Sequence, residues 1–223
     1  MGFGAARSPG RTRRIALVPE ARVEPGQIYR AAKRMLDLAV AIPALILTAP
    51  ILVLIMLAIR LDSRGPALFR QKRLGCSGSP FAILKFRTMN VTEDGDEVVQ
   101  AARNDSRVTR IGAFLRVYSL DELPQLVNVV RGEMSLVGPR PHAVAHDRLY
   151  GGLIPQYKLR QSVKPGITGW AQVNGYRGGT PTLDLMRRRV DHDLWYVRRR
   201  SLLLDLSILL RTPVEMLRRR NAY

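Results

Sequence analysis

Asp121 and Glu122 stand side by side in "VYSLDELPQL", within a chain that carries 36 Lys and Arg against 18 Asp and Glu. Each carboxylate raises the cost of ionising its neighbour, so the pair asks for a reason. One reading is local. Ser119 and Glu122 match a capping box, Ser with Glu three residues on, and carboxylates suit a helix N-terminus. A helix begun at Ser119, however, sets Pro124 at its fifth position, where proline removes a hydrogen bond. Starting the helix at Pro124 is better physics and leaves both acids in the turn that leads into it. On spacing alone a structural role still outweighs a catalytic one.

The cations around the pair shift that balance. Arg116 lies five residues before Asp121, with Lys85 and Arg87 in "KFRTM", Arg140 in "GPRP" and Lys164 in "VKPG". Mg²⁺ typically takes one or two protein carboxylates and completes its shell with substrate phosphates. Arginine and lysine suit the remaining phosphate charge, and a carboxylate can itself attack phosphorus. The set fits metal-assisted phosphoryl transfer at a membrane, although each cation taken singly fits a solvated surface group as well.

The formal charge of +18 implies an anionic partner: nucleic acid, an anionic membrane or a phosphorylated small molecule. Nucleic-acid binding calls for aromatic platforms or a reading helix. Aromatic content of 6% with no interleaved basic-aromatic stripe speaks against it. The lone Cys76 excludes an internal disulfide framework and fits a reducing compartment. His142 and His146 have helical spacing, but no Glu follows His142 as in zinc-protease helices. A chain of 223 residues holds one ordinary domain, or a small one with appendages.

The elements that must hold these residues begin at a membrane. Leu38 to Ile59 carries no charge and, as a helix, extends about 33 Å against a hydrocarbon core of ~30 Å. It starts too late and runs too long for a cleaved leader. Arg30, Lys33 and Arg34 precede it, and Arg60, Arg64, Arg70, Lys72 and Arg73 follow, so the positive-inside rule draws both ends to the cytoplasm. Pro43 and Pro50 each remove a donor, and Thr48 can offer its hydroxyl to a freed carbonyl. A helix that dips into one leaflet and returns, and a plain kinked span, are equally compatible with the segment.

The expected organisation is a flexible basic arm over 1–28, a membrane helix over 29–61 and a helix-rich α+β catalytic domain over 62–223. "GPALFRQKRLG" and "PFAILKFRTM" read as two strands around the "GCSGSP" turn. Val91 to Asp105 reads as an acidic surface loop, and Arg110 to Gly132 as two helices broken near the acidic pair. "SLVGPRPHAV" is turn-rich and leads into a helix reaching Tyr150. "VKPGITGWAQVNGYRGG" reads as loop or short strand. The C-terminal stretch from Met186 mixes apolar residues at helical spacing with arginines, the composition of interfacial membrane helices or of ordinary amphipathic core helices.

Taken together, "KRMLDLAVAIPALILTAP", "LFRQKRLG", "FAILKFRTM", "DSRVTRIGAFLRVYSLDELPQLVNVVRGEMSLVGPRPH", "VKPGITGWAQVNGYRG" and "LLLDLSILLRT" resemble the bacterial sugar transferases, or monotopic phosphoglycosyl transferases. The resemblance covers nearly everything after the arm. It implies a monotopic protein of the inner membrane, with a re-entrant helix kinked at Pro50, amphipathic interfacial helices and a catalytic domain on the cytoplasmic face. It also implies that Asp121 attacks the β-phosphorus of a UDP-sugar, releasing UMP and holding a phosphosugar covalently. Undecaprenyl phosphate then takes the phosphosugar. Glu122 assists as metal partner or base, Mg²⁺ is the cofactor bound by Asp121 and Glu122, Arg116 faces phosphate, and Pro139, Arg140 and Pro141 contact the nucleotide. Partners are then the UDP-sugar, undecaprenyl phosphate and anionic membrane lipids, with no nucleic acid; a homo-oligomer is compatible.

"GPRPHAVAHD", "GITGWAQVNGYRG" and the terminal "NAY" look most like members using UDP-glucose to start exopolysaccharide repeats, with galactose-1-phosphate transferases close by. A non-catalytic scaffold of a polysaccharide machine would keep the same motifs. The chain departs from the family at three points. Gly179 stands where many relatives have an acidic residue. Ala49 stands where the family often has Ser, so Thr48 is expected to supply the hydroxyl beside Pro50. A short arm stands where larger members carry four spanning helices and a further domain.

Overall fold

The computed structural model describes residues 26–90 and 105–217, the side chain of the last excepted. The arm, most of the acidic stretch from Val91 and the terminal "NAY" lie outside the described residues. Helix α1 runs from Gln27 to Asp62 as one 36-residue helix with Pro43 and Pro50 inside it. At 1.5 Å per residue that is ~54 Å, well beyond the apolar run itself. Its middle is exposed and apolar: Leu47, Ile51 and Leu54 all face outward. It is the one described helix long and apolar enough to cross a membrane.

Thr48 behaves differently from expectation. Its hydroxyl donates to the carbonyl of Ala44 at 2.7 Å, four residues back. The carbonyl that Pro50 deprives of a donor belongs to Ile46. Thr48 therefore makes the back-bond that a helical threonine makes anywhere, rather than replacing the bond lost at Pro50.

Strands β1 (Leu68–Leu74) and β2 (Pro80–Phe86) pair antiparallel, Leu68 opposite Phe86 and Leu74 opposite Pro80, around the glycine- and serine-rich turn. Helix α2 (Arg110–Tyr118) is capped by the Thr109 hydroxyl, which accepts from the Gly112 N–H. Helix α3 (Gln125–Arg131) ends at Gly132 with φ 83°, where a side chain would be strained. Short strands β3 (Ser135–Val137) and β4 (Gly166–Thr168) run parallel. They approach so closely that a Cβ on Gly138 would strike the Lys164 carbonyl, and one on Gly166 the Gly138 amide. That contact explains glycines in both the "VGPRP" and "KPGITG" segments.

Helices α4 (Val144–Leu153), α5 (Trp170–Val173), α6 (Leu183–Arg199) and α7 (Leu202–Leu217) complete the described chain. The main core gathers Ala41 of α1, Ile83 of β2, Val129 of α3, Val137, Tyr196 and Ile208. The expectation for the C-terminal helices splits in two. Helix α6 turns Met186, Val190 and Leu194 inward against Ile154 and Tyr157, so its apolar stripe is core. Helix α7 leaves Leu203, Leu206, Leu210 and Val214 exposed at helical spacing, the stripe an interfacial helix needs.

Candidate active site

The acids sit where three devices meet. Helix α2 stops at Ser119, a non-glycine residue in the left-handed region at φ 54°, whose hydroxyl makes no cap bond. The capping box therefore does not form. A short 3-10 turn of Leu120–Glu122 follows, and Pro124 then opens α3 with helical angles, φ −59° and ψ −18°. The two acids occupy the turn between helices, as the proline argument requires. Buried Asn128 of α3 fastens this unit to β2: its Oδ1 accepts from the Leu84 N–H at 3.0 Å, and its Nδ2 donates to the Ala82 carbonyl at 2.8 Å. Lys85, next along β2, is thereby held over the turn.

The two carboxylates are not equivalent. Glu122 receives both arms of the Arg140 guanidinium, Nη1 on Oε2 at 2.9 Å and Nη2 on Oε1, and Lys85 Nζ on Oε1 at 3.1 Å. Burial alone would raise its pKa, but Arg140 and Lys85 together hold it well below the usual carboxylate range. Asp121 carries no side-chain hydrogen bond among the described residues. Burial, then the charge of Glu122, push it up to about 6, against the opposing pull of Lys85, Arg140 and Arg116. Burial also lowers Lys85, despite Glu122 beside it. One acid is thus a fixed anion clamped by cations, and the other is a free carboxylate with a shifted pKa, a division of labour typical of acid pairs that do chemistry.

Arg116, on the last turn of α2, is among the cations acting on Asp121. Pro139 and Pro141 are buried and frame Arg140, and Arg73 donates to the Pro141 carbonyl at 3.3 Å. Two expected phosphate ligands are elsewhere. Arg87 is buried, donating to the Arg64 carbonyl at 2.6 Å and to the Ser63 carbonyl and hydroxyl at 2.7 and 2.9 Å. It closes the C-terminal end of α1, where unsatisfied carbonyls attract a guanidinium, and spends both of its terminal nitrogens there. Lys164 is exposed and lies against Gly132 beside Arg34, at the end of α3 opposite the acids.

Several working residues escaped the sequence reading. Behind Arg140 lies a buried network: Arg160 donates to the Arg140 carbonyl at 2.6 Å and to Asp193 at 2.7 and 3.1 Å. Arg160 Nη1 also lies 3.1 Å from His142 Nδ1, and the Tyr157 hydroxyl donates to Asp147 at 2.7 Å. Burial and then Arg160 hold His142 well below its ordinary pKa, so it is neutral, and its Nδ1 also lies 2.6 Å from the Tyr157 hydroxyl. Arg177, in the loop after α5, senses both Asp121 and Glu122. Its only signal was an arginine between glycines in "GYRGG", indistinguishable from a surface turn. Asn128 did leave a signal, a lone amide in the apolar run "LVNVV".

Among the described residues no three His, Cys, Asp or Glu side chains converge as a metal cage. Asp121, free of side-chain hydrogen bonds, can offer an oxygen to a divalent ion that takes the rest of its shell from phosphate oxygens and water, against the opposing charge of Lys85, Arg140 and Arg116. Glu122 fits less well, since Arg140 and Lys85 already occupy its oxygens.

Comparison with known proteins gives this geometry a setting. Residues 28–219 match the family described as bacterial sugar transferase. The chain is 56% identical over 191 residues to the UDP-glucose:undecaprenyl-phosphate glucose-1-phosphate transferase of Caulobacter vibrioides, covering 86% of this chain and 72% of that protein. It is 48% identical over 209 residues to the transferase of the same name from Escherichia coli K12, covering 94% of this chain and 45% of that protein. It is 39% identical over 189 residues to an Aeromonas hydrophila UDP-N-acetylgalactosamine-undecaprenyl-phosphate N-acetylgalactosaminephosphotransferase, covering 84% and 44%. The chain thus spans less than half the length of the latter two.

Proposed function

The chain belongs to the bacterial sugar transferase family, and from that premise we propose that it moves glucose-1-phosphate from UDP-glucose to undecaprenyl phosphate, initiating an exopolysaccharide repeat. The observation that carries the mechanism is the unequal acid pair. Asp121 is unbonded and, with its carboxyl near 6, mostly ionised at neutral pH yet poorly solvated, which favours attack. Its Oδ forms a bond to the β-phosphorus as the bond to the bridging oxygen breaks, and UMP leaves with the electron pair. An oxygen of the acceptor phosphate then attacks the same phosphorus and returns the electron pair to Asp121.

Glu122 carries no proton in this scheme. It fixes Arg140 and Lys85 so that their remaining donors face the diphosphate, where preorganised positive charge stabilises the charge developing in transit. Arg116 adds to that field. A Mg²⁺ ion, held by Asp121 with Glu122 behind it, would supply charge neutralisation on the phosphates.

Support for a re-entrant helix comes from the two ends of α1. Near its start, Arg34 donates to the Val129 and Val130 carbonyls at 2.6 and 2.8 Å, and Asp37 accepts from Ser135 and the Leu136 N–H. At its finish, Arg87 holds the Ser63 and Arg64 carbonyls just past its last turn. Both ends are bolted to the same body of protein, and the apolar middle is left for lipid. With cations at both ends, that body belongs on the cytoplasmic face.

Purified protein incubated with Mg²⁺, undecaprenyl phosphate and a panel of UDP-sugars should release UMP, fastest with UDP-glucose. Silence with every sugar overturns the assignment, and a preference for UDP-galactose revises the sugar alone. Tags on the two ends of the chain should both report the cytoplasm; a periplasmic N-terminus rules out the dip.

A further inference from the structure

Beside the acidic turn lies a cavity of about 260 Å³, bounded by α1, α3, α5 and α7. Its walls are mainly apolar: Ala44, Leu123, Leu126, Ile167, Val173 and Met216 line it. Three threonines also line it but spend their hydroxyls internally, Thr48 on Ala44, and Thr168 and Thr212 on each other. Two carboxylates reach it, Glu122, already clamped by Arg140 and Lys85, and Glu215. Arg177 lines it too, with its Nη1 buried and without a hydrogen-bond partner. An unpaired buried donor on a cation is costly and marks a position where a ligand is expected to complete the bonding.

The shape chooses among ligands. The volume falls below that of sites for drug-sized molecules and is too small for a nucleotide sugar. An apolar passage with one cation at the acids matches an anionic headgroup on a thin hydrocarbon tail. The wall at Ala44 and Thr48 belongs to α1, whose other faces at Leu47 and Leu54 are exposed for lipid, so a tail can enter directly from the bilayer. Resting on the transferase reading above, we propose that this cavity seats the phosphate-proximal isoprene units of the acceptor lipid, and that Arg177 binds its phosphate monoester beside Asp121. The arrangement gives the two substrates separate grips: the donor diphosphate on Lys85, Arg140 and Arg116, and the acceptor phosphate on Arg177. In the second half of the reaction the acceptor oxygen forms the new P–O bond while the acyl-phosphate bond breaks, with Arg177 offsetting the approach of two anions.

The test separates the half-reactions, with the full chain in lipid nanodiscs. With UDP-glucose alone, the unmodified protein and Arg177→Ala should both release UMP in a burst of up to one equivalent. With undecaprenyl phosphate added, Arg177→Ala should raise the acceptor KM at least about tenfold, the lower end for a charge-assisted hydrogen bond, and leave the donor KM unchanged. Arg177→Lys should recover part of the loss. Ala44→Phe, which narrows the cavity, should raise the acceptor KM, and Leu47→Phe on the exposed face of α1 should not. Phosphatidic acid, a phosphate monoester on two bulky tails, should compete poorly, and inorganic phosphate hardly at all.

Loss of the burst or a raised donor KM in Arg177→Ala, with the acceptor KM unchanged, assigns Arg177 to the donor and overturns the proposal. Equal effects of the two phenylalanine variants overturn the cavity. If the unmodified protein releases no UMP under any condition, the transferase reading fails instead. Direct binding of undecaprenyl phosphate, weakened by Arg177→Ala or indifferent to it, then decides the present proposal separately.

Discussion

Two clusters of buried charge share the Pro139–Pro141 turn and are built to opposite ends. Behind the turn, Arg160 spends every arm of its guanidinium on the Arg140 carbonyl, Asp193, His142 and Tyr157, and Asp147 is bonded in turn. In front of it, Arg140 and Lys85 satisfy Glu122, while Asp121 and one nitrogen of Arg177 are left open. The rear cluster is nearly closed, its one loose end being His142 Nε2. Closure makes a strut, because every removed partner strands a buried charge. Open valences make a site, because the missing bonds are supplied by what binds there.

The largest break should come at the front. Asp121→Asn should cut UMP release by about a thousandfold or more, since the amide cannot attack phosphorus. Full turnover in that variant would sink the mechanism. At the rear the loss should be one of folding. Arg160→Met leaves Asp193 unpaired in the interior and should cost about 3–5 kcal/mol in chemical denaturation. Replacing both partners, Arg160→Met with Asp193→Leu, should recover most of that stability; a double variant as weak as the single would count against the strut.

A finer test uses pH. Asp121 must be ionised to attack and its carboxyl is raised, so the rate should fall as pH drops through about 6. Glu122→Gln removes the second cause of that rise and frees Arg140 and Lys85, so the acid limb should move to lower pH while the maximal rate declines. A limb that stays put would show that Glu122 does not govern Asp121.

The smallest effect is a gain. The raised carboxyl of Asp121 means that the folded state disfavours its charge, a cost absent below the unfolded value near 4 and fully present above about 6. Asp121→Asn should therefore raise the melting temperature by about 2–6 °C at pH 7.5, and hardly at pH 4.

Much of the scaffold was legible because its signals are local. The turn between β1 and β2, the break at Pro124 and the end of α3 at Gly132 each follow from residues within a few positions. The apolar length of α1 needed only counting. Periodicity could not say whether the stripes of α6 and α7 face protein or lipid, since both environments reward the same spacing; Ile154 and Tyr157 take the one, and among the described residues the Leu203, Leu206, Leu210 and Val214 stripe of the other stays exposed. Arg87 and Lys164 were plausible phosphate ligands by type, and the fold spends the first on α1 and sets the second at the wrong end of α3.

By itself the sequence determined that two acids would occupy a turn before a proline-started helix, in a chain with a long apolar segment flanked by basic ends, and the motif order carried the family. Tertiary structure alone decided which acid is clamped and which is free. Adjacent residues have the same local sequence, so their difference has to come from groups far along the chain: Lys85 from β2 and Arg140 from the turn after β3 converge on Glu122. The same long-range closure left Arg177 unpaired at the mouth of an apolar cavity, a juxtaposition no spacing in the chain encodes.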